Sequence, residues 1–281
     1  MANLLPFVEA GRKDGPLMVF MAGFPDNETS GWGDVLPVEL GKVYHLLFLC
    51  MPDYQKGNRV YKPWGYSFSD ILDRMHNTIA SINKNNDKII LVSHDWGAFL
   101  GLVFENKYPQ LVKKLVLLDV GMLKPQEAPI KDLLIILCYQ WWFAIAYILA
   151  RLLGVTIADG IFKLFFTPII REVVSPCPHD TPTIPLEDMN VNQCYPYYQF
   201  WKGQFSGTQY NPRFPSCPVL FMVCFSFNCH CLFLIMCYSM EPKRTVCFMA
   251  SRSLPRLRRL LTVNKWPLTQ VIGLSSHMVM K

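Results

Sequence analysis

Residues Leu91–Gly97 read LVSHDWG, and this stretch decides the fold. An apolar run ends at Ser93, Asp95 sits at its tip, and Gly97 opens a segment fit for a helix. The spacing small–x–nucleophile–x–Gly is what a strand–turn–helix elbow requires. The nucleophile sits on a strained backbone, so its neighbours must be small where the chain crowds itself. Here the elbow residue is an aspartate. A carboxylate in that place can attack carbon and form an ester that water must later break. On spacing alone, Asp95 reads equally as a helix N-cap following a strand.

Outward from the elbow, short apolar runs recur. Leu17–Ala22 (LMVFMA), Tyr44–Cys50 (YHLLFLC), Lys88–Ser93 (KIILVS), Lys114–Leu118 (KLVLL) and Pro218–Met222 (PVLFM) read as buried strands. Between them, Ser69–Ile82 carries Ile71, Met75 and Ile79 about four apart, and Ala98–Tyr108 ends before Pro109; both are predicted helices. Near-continuous apolar strands alternating with helices predict an α/β fold whose sheet is mostly parallel and covered on both faces.

The pattern changes after Gly121. Between Asp132 and Arg151 lie 18 uncharged residues, read as a buried or interfacial helix, with a thin membrane span as the alternative. Ser175–Pro185 is a proline-rich loop, and Tyr195–Trp201 (YPYYQFW) is an aromatic cluster. No residue from Phe214 to Met240 carries a charge, a run long enough to span a bilayer.

The 281 residues suffice for one sizeable core with an inserted lobe. At 17% charged residues the chain is not a disordered polyelectrolyte. The net charge of +6 is concentrated from Glu241 onward, which alone is +7 and leaves the body at −1, so polyanion binding by the whole protein and a nucleic-acid partner are not expected. Seven of the 10 cysteines fall between Cys194 and Cys247. The opening MANLLPFVEAGRKDG has no long apolar stretch, so reduced thiols and a cytoplasmic location are expected, with membrane association as the alternative. Cys229-His230-Cys231 is too tight for easy chelation by all three, and the glycines form no phosphate loop; neither metal nor cofactor is expected.

Three segments resemble the α/β-hydrolase superfamily, in its epoxide hydrolase and haloalkane dehalogenase branch. Ala22–Trp32 (AGFPDNETSGW) resembles the oxyanion loop, with Ala22 where the family usually has histidine. Ser93–Ala98 (SHDWGA) resembles the nucleophile elbow, and Lys107–Gly121 (KYPQLVKKLVLLDVG) the helix end and strand after it. Tyr195–Trp201 and Cys217–Met222 look like the end of the family's cap and its return to the sheet. The resemblance implies an α/β-hydrolase fold with an inserted helical cap: residues 1–123 the first part of the core, 124–212 the cap, and 213–281 an atypical final part.

It also implies roles. Asp95 would be the nucleophile, and the N–H groups of Phe24 and Trp96 the oxyanion hole. A cap tyrosine would protonate the opening epoxide, with Tyr195 favoured over Tyr197 and Tyr198. His277 would activate water, although Ser276 and Met278 depart from the family's Gly-His-Trp. No aspartate or glutamate occurs from Met189 to Met240, so the third member would be Asp119, orienting His277. The expected reaction opens a small lipophilic epoxide with water to a diol. Dehalogenation, or a catalytically silent and membrane-associated relative, are the alternatives.

Overall fold

The strand over Ile89–His94 (β4) is buried at every position but its last, and the rest of the sheet is assembled around it. The computed structural model describes residues 3–32, 35–55, 61–120, 130–173, 189–208, 210, 212–227, 230–238 and 245–250. Its other strands are β1 (Phe7–Gly11), β2 (Leu17–Met21), β3 (His45–Leu49), β5 (Val112–Leu118), β6 (Val219–Phe227), β7 (His230–Tyr238) and β8 (Thr245–Ala250). They form one sheet in the order β1-β3-β2-β4-β5-β6-β7-β8. The five central strands run parallel; β1 at one end and the pairings β6–β7 and β7–β8 at the other are antiparallel. This is the mixed, mostly parallel sheet with flanking helices that the apolar runs predict.

Successive side chains of a strand face opposite ways, so the sheet builds two cores. Val19, Met21, Leu47, Leu49, Leu91 and Leu115 face one layer. That layer is covered by α2 (Phe68–Ile82) and α3 (Trp96–Lys107). Met18, Phe20, Leu46, Phe48, Val92 and Val116 face the other, with Trp32 and Leu40 of α1 (Val35–Gly41) among their neighbours. In α2 the four-residue spacing of Ile71, Met75 and Ile79 puts all three on the buried face. Ser67 caps the helix by accepting the Asp70 N–H at 3.2 Å.

The described residues between β5 and β6 include the helices α4 (Ile130–Leu152), α5 (Val155–Val173) and α6 (Tyr195–Ser206). They join the first core through Phe143, Tyr147, Phe162, Tyr195 and Tyr197. The uncharged stretch inside α4 is therefore a helix with one face buried in the protein. No helix among the described residues is long and apolar enough to cross a membrane.

The charge-free run from Phe214 to Met240 is a different element from the span its length suggests. It contributes β6 and β7, paired antiparallel from Val219↔Tyr238 to Phe227↔His230. The two nine-residue strands satisfy each other's backbone groups in this ladder. The loop Ser175–Pro185 and the tail with His277 lie outside the described residues.

Leu91 is completely buried in the central strand. Leu91→Ala is expected to lower unfolding free energy by about 2–5 kcal/mol, read as an earlier midpoint in urea. A loss below about 1 kcal/mol would contradict the packing described.

Candidate active site

Strand β4 ends at His94, α3 begins at Trp96, and the single residue between them turns the chain. Asp95 does so at φ 52° and ψ −124°, a region that non-glycine residues rarely occupy. Its surroundings hold it there. The Asp95 N–H donates to the Leu118 carbonyl at 3.3 Å, and the Asp95 carbonyl accepts from Ala98 N–H at 2.9 Å. The small neighbours leave no room for anything larger. A Cβ on Gly97 would stand 2.1 Å from the Met21 carbonyl oxygen, and one on Gly101 2.7 Å from Ser93 Oγ.

The carboxylate of Asp95 lies against the loop after β2. The Phe24 N–H donates to Asp95 Oδ2 at 2.7 Å, and the Trp96 N–H also donates to the carboxylate. The two groups expected to form an oxyanion hole thus both face Asp95. Gly23 permits this approach, since a Cβ there would come within 2.5 Å of both Asp95 Oδ2 and Trp96 N. The positive end of α3 adds to the anionic preference. Solvent still reaches part of the residue, but protein crowds the carboxyl. Burial is the largest influence and raises its pKa to about 6, against the N–H of Trp96, the charge of His94 and the N–H of Phe24; Asp26 raises it further.

Beside the elbow, His94 Nε2 lies 2.8 Å from Asp119 Oδ2, and Nδ1 lies 3.8 Å from Asp26 Oδ2. Burial opposes the imidazolium. The Asp119 hydrogen bond and the charges of Asp95, Asp119 and Asp26 outweigh it, so the His94 pKa is raised. Asp119 itself sits at φ 66° just past β5, its N–H donating to Met222 O at 2.9 Å. The sequence reading pairs Asp119 with His277. His277 lies outside the described residues, and the histidine found on Asp119 is His94.

Above Asp95 the aromatic rings converge. Phe24, Trp96, Phe143 and Tyr197 lie with centroids 4.8–5.7 Å apart along the contacts Phe24–Phe143, Phe24–Tyr197, Trp96–Tyr197 and Phe143–Tyr197. Tyr139 joins at 5.8 Å from Phe143 and 6.3 Å from Tyr197. The Trp96 indole N–H donates to the Tyr197 hydroxyl. Burial, followed by the charge of Asp95 and then by Tyr139, holds the Tyr197 phenol well above its usual pKa. Burial and the Asp95 charge also raise that of Tyr139, although a hydrogen bond with Gln140 opposes them. Both phenols therefore keep their protons near Asp95.

Tyr195, the favoured candidate in the sequence, is placed differently. It is 1% exposed, its hydroxyl donates to the Pro52 carbonyl at 3.2 Å, and its ring packs on Tyr54 and Tyr66. Helical geometry is the reason: two positions along α6 turn a side chain by about 200°, so Tyr195 and Tyr197 face opposite ways. Tyr139 was missed because it stands inside the uncharged stretch read only for its length. A phenol four residues before Phe143, on the same helix face, was the available signal.

Two other histidines have partners of their own. His45 pairs with Glu9 at 2.9 Å, and His76 stacks on Tyr108 at 4.5 Å. Among the described residues no group of three or more His, Cys, Asp or Glu could hold a metal ion. The side chains of Cys224, His230, Cys231 and Cys237, and all of Cys229, lie outside the description.

Residues 52–152 match the family model described as alpha/beta hydrolase fold. The chain is 38% identical over 112 residues to Epoxide hydrolase 3 of Mus musculus, covering 40% of this chain and 29% of that protein. It is 28% identical over 116 residues to Epoxide hydrolase 1 of Caenorhabditis elegans, covering 41% and 28%. Its matched part thus spans less than a third of the length of either relative. Among solved structures, the epoxide hydrolase CorEH without ligand superposes with a TM-score of 0.55 at 16% identity, covering 77% of each chain, a likeness of fold alone.

Because burial raises Asp95 from an ordinary value of 3.8 to about 6, the folded state holds its proton where the unfolded state has lost it. Stability attributable to this group is therefore lost as pH rises from about 4 to about 6. Asp95→Asn removes that loss. Across this range the wild type is expected to lose melting temperature relative to the variant; parallel melting profiles would contradict the raised pKa.

Proposed function

We propose that the chain is an α/β-hydrolase related to epoxide hydrolases, a reading supported by the family match over residues 52–152 and by the similarity over about 40% of the chain, and that it opens lipophilic epoxides to diols through an ester on Asp95. The observation that carries this reading is the elbow. A carboxylate on a strained turn faces two backbone N–H groups, beneath two protonated phenols.

In the first step an Asp95 oxygen attacks an epoxide carbon. A new C–O bond forms, the ring C–O bond breaks, and its electron pair goes to the epoxide oxygen. Tyr197 and Tyr139 donate hydrogen bonds to that oxygen, and one supplies the proton. A phenol suits this because a strong alkoxide takes its proton readily. In the second step water attacks the ester carbonyl carbon and gives its proton to a base, the role proposed for His277 with Asp119. The Phe24 and Trp96 N–H groups, which hold the carboxylate at rest, then face the tetrahedral oxyanion; one such donor contributes about 10²–10³ in kcat. When this intermediate collapses, the C–O bond to the diol breaks and the leaving oxygen takes the proton held by the base; the second proton of the water passes from the Asp95 carboxyl to the phenolate, which restores Asp95 and the tyrosine.

The ring of aromatic side chains favours a lipophilic substrate. It also favours epoxide opening over dehalogenation, since the Trp96 indole N–H that would hold a halide is directed to Tyr197.

Turnover of an aryl-alkyl epoxide tests the reading. Asp95→Asn is expected to abolish diol formation. Tyr197→Phe should lower kcat by about 10²-fold, whereas Tyr195→Phe should leave kcat near wild type and cost about 1 kcal/mol of stability through its lost Pro52 bond. The reverse order of the two tyrosine variants would move the donor role back to Tyr195. Full turnover by Asp95→Asn would overturn the mechanism.

A further inference from the structure

The aromatic contacts over Asp95 lead from Tyr197 in two directions. One path runs to Trp96 at 5.0 Å and on to Phe99 and Phe200, 5.8 and 5.9 Å from Trp96. Phe99 and Phe200 are both partly open to solvent. The other path runs from Tyr197 to Phe143 at 4.8 Å, and from there to Phe162 of α5 at 5.7 Å. Phe143 is 4% exposed and Phe162 is fully buried. One side of the site is thus bounded by rings that reach the surface, and the other ends in rings that do not.

We propose that Phe143 closes the inner side of this site and limits its substrates to epoxides with a bulky group on one carbon and at most a methyl-sized group on the other. The inference rests on the epoxide-opening role given to Asp95 above. Three observations carry it. First, Phe143 touches the residues that fix the epoxide. Its ring lies 5.4 Å from that of Phe24, whose N–H donates to Asp95, and 4.8 and 5.8 Å from those of Tyr197 and Tyr139, the two oxygen donors. An epoxide held between Asp95 and these phenols has Phe143 as its neighbour on the α4 side. Second, Phe143 has little freedom to yield. Tyr139 stands one turn before it on α4, and Phe162 backs it from α5. A ring so enclosed is close-packed, and a phenyl group forced in would have to displace protein rather than water. Third, the opposite side differs in kind. Phe99 and Phe200 keep part of their surface toward water, so a bulky substituent stacked on Trp96 can extend past them. Trp96 and Phe143 therefore bound the two carbons of the epoxide unequally.

Two epoxides that differ only in the second substituent test this on the full chain: trans-β-methylstyrene oxide, with methyl, and trans-stilbene oxide, with phenyl. The wild type is expected to favour the methyl compound in kcat/KM by about 100-fold or more. Phe143→Leu should cut that ratio by about tenfold, chiefly through faster turnover of the stilbene oxide. Phe143→Met, which keeps most of the volume on a side chain that bends more easily, should cut it in the same direction and guards against a folding defect in the leucine variant. Phe200→Leu, on the open side, should not relieve the discrimination. Thermal melts identify the variants that fold. Comparable kcat/KM for the two epoxides in the wild type would overturn the inference without any variant. So would a ratio unchanged in a folded Phe143 variant. Either result leaves the Asp95 reading standing, whereas turnover of neither epoxide by the folded wild type would overturn that reading and this inference with it.

Discussion

The candidate site depends on one backbone constraint, the positive φ of Asp95. A non-glycine residue holds that conformation only where its surroundings over-determine it. Here they do so from three directions. Strand β5 accepts the Asp95 N–H through Leu118, the first turn of α3 takes its carbonyl, and the loop after β2 meets its side chain through Phe24 N–H. Gly23, Gly97 and Gly101 are glycines because backbone or side-chain atoms stand closer than a Cβ allows. The elbow, the parallel register of β2, β4 and β5, and the placement of the loop after β2 are therefore one solution to one packing problem.

Burial at the elbow has a chemical consequence. Crowding raises the Asp95 pKa toward 6, while two N–H groups and His94 keep the carboxylate accessible. The nearby phenols are affected in the opposite functional sense: the same burial keeps Tyr139 and Tyr197 protonated. One environment thus prepares an acceptor and two donors at adjacent positions. Behind it, His94 links Asp119 and Asp26, tying the end of β5 to the loop after β2.

Most of the central sheet could be read in the residues, because β2 to β5 are apolar runs bounded by loop residues and the covering helix α2 shows a clean four-residue period. The elbow was equally clear, since sterics restrict SHDWG to few residue types. Length without pattern misled. The run from Phe214 to Met240 suggests a span by its lack of charge, but β-branching and period could not distinguish a paired strand from a buried one, and its antiparallel partner was fixed only by the ladder. The cap tyrosines show a second limit. Tyr195, Tyr197 and Tyr198 are close in sequence, and only the phase of α6 decides that Tyr195 turns to Pro52 while Tyr197 turns to Trp96. Asp119 shows a third: an acid at a strand end can serve any histidine that comes near, and His94 is the one beside it.

The central claim is that Asp95 becomes an ester and is then released by attack at its carbonyl carbon. A single turnover in ¹⁸O-water, followed by peptide mass spectrometry, tests it most directly. The account predicts solvent oxygen in the Asp95 carboxylate and none in the first diol formed. Labelled diol with an unlabelled Asp95 would contradict it, because water would then have attacked the epoxide directly.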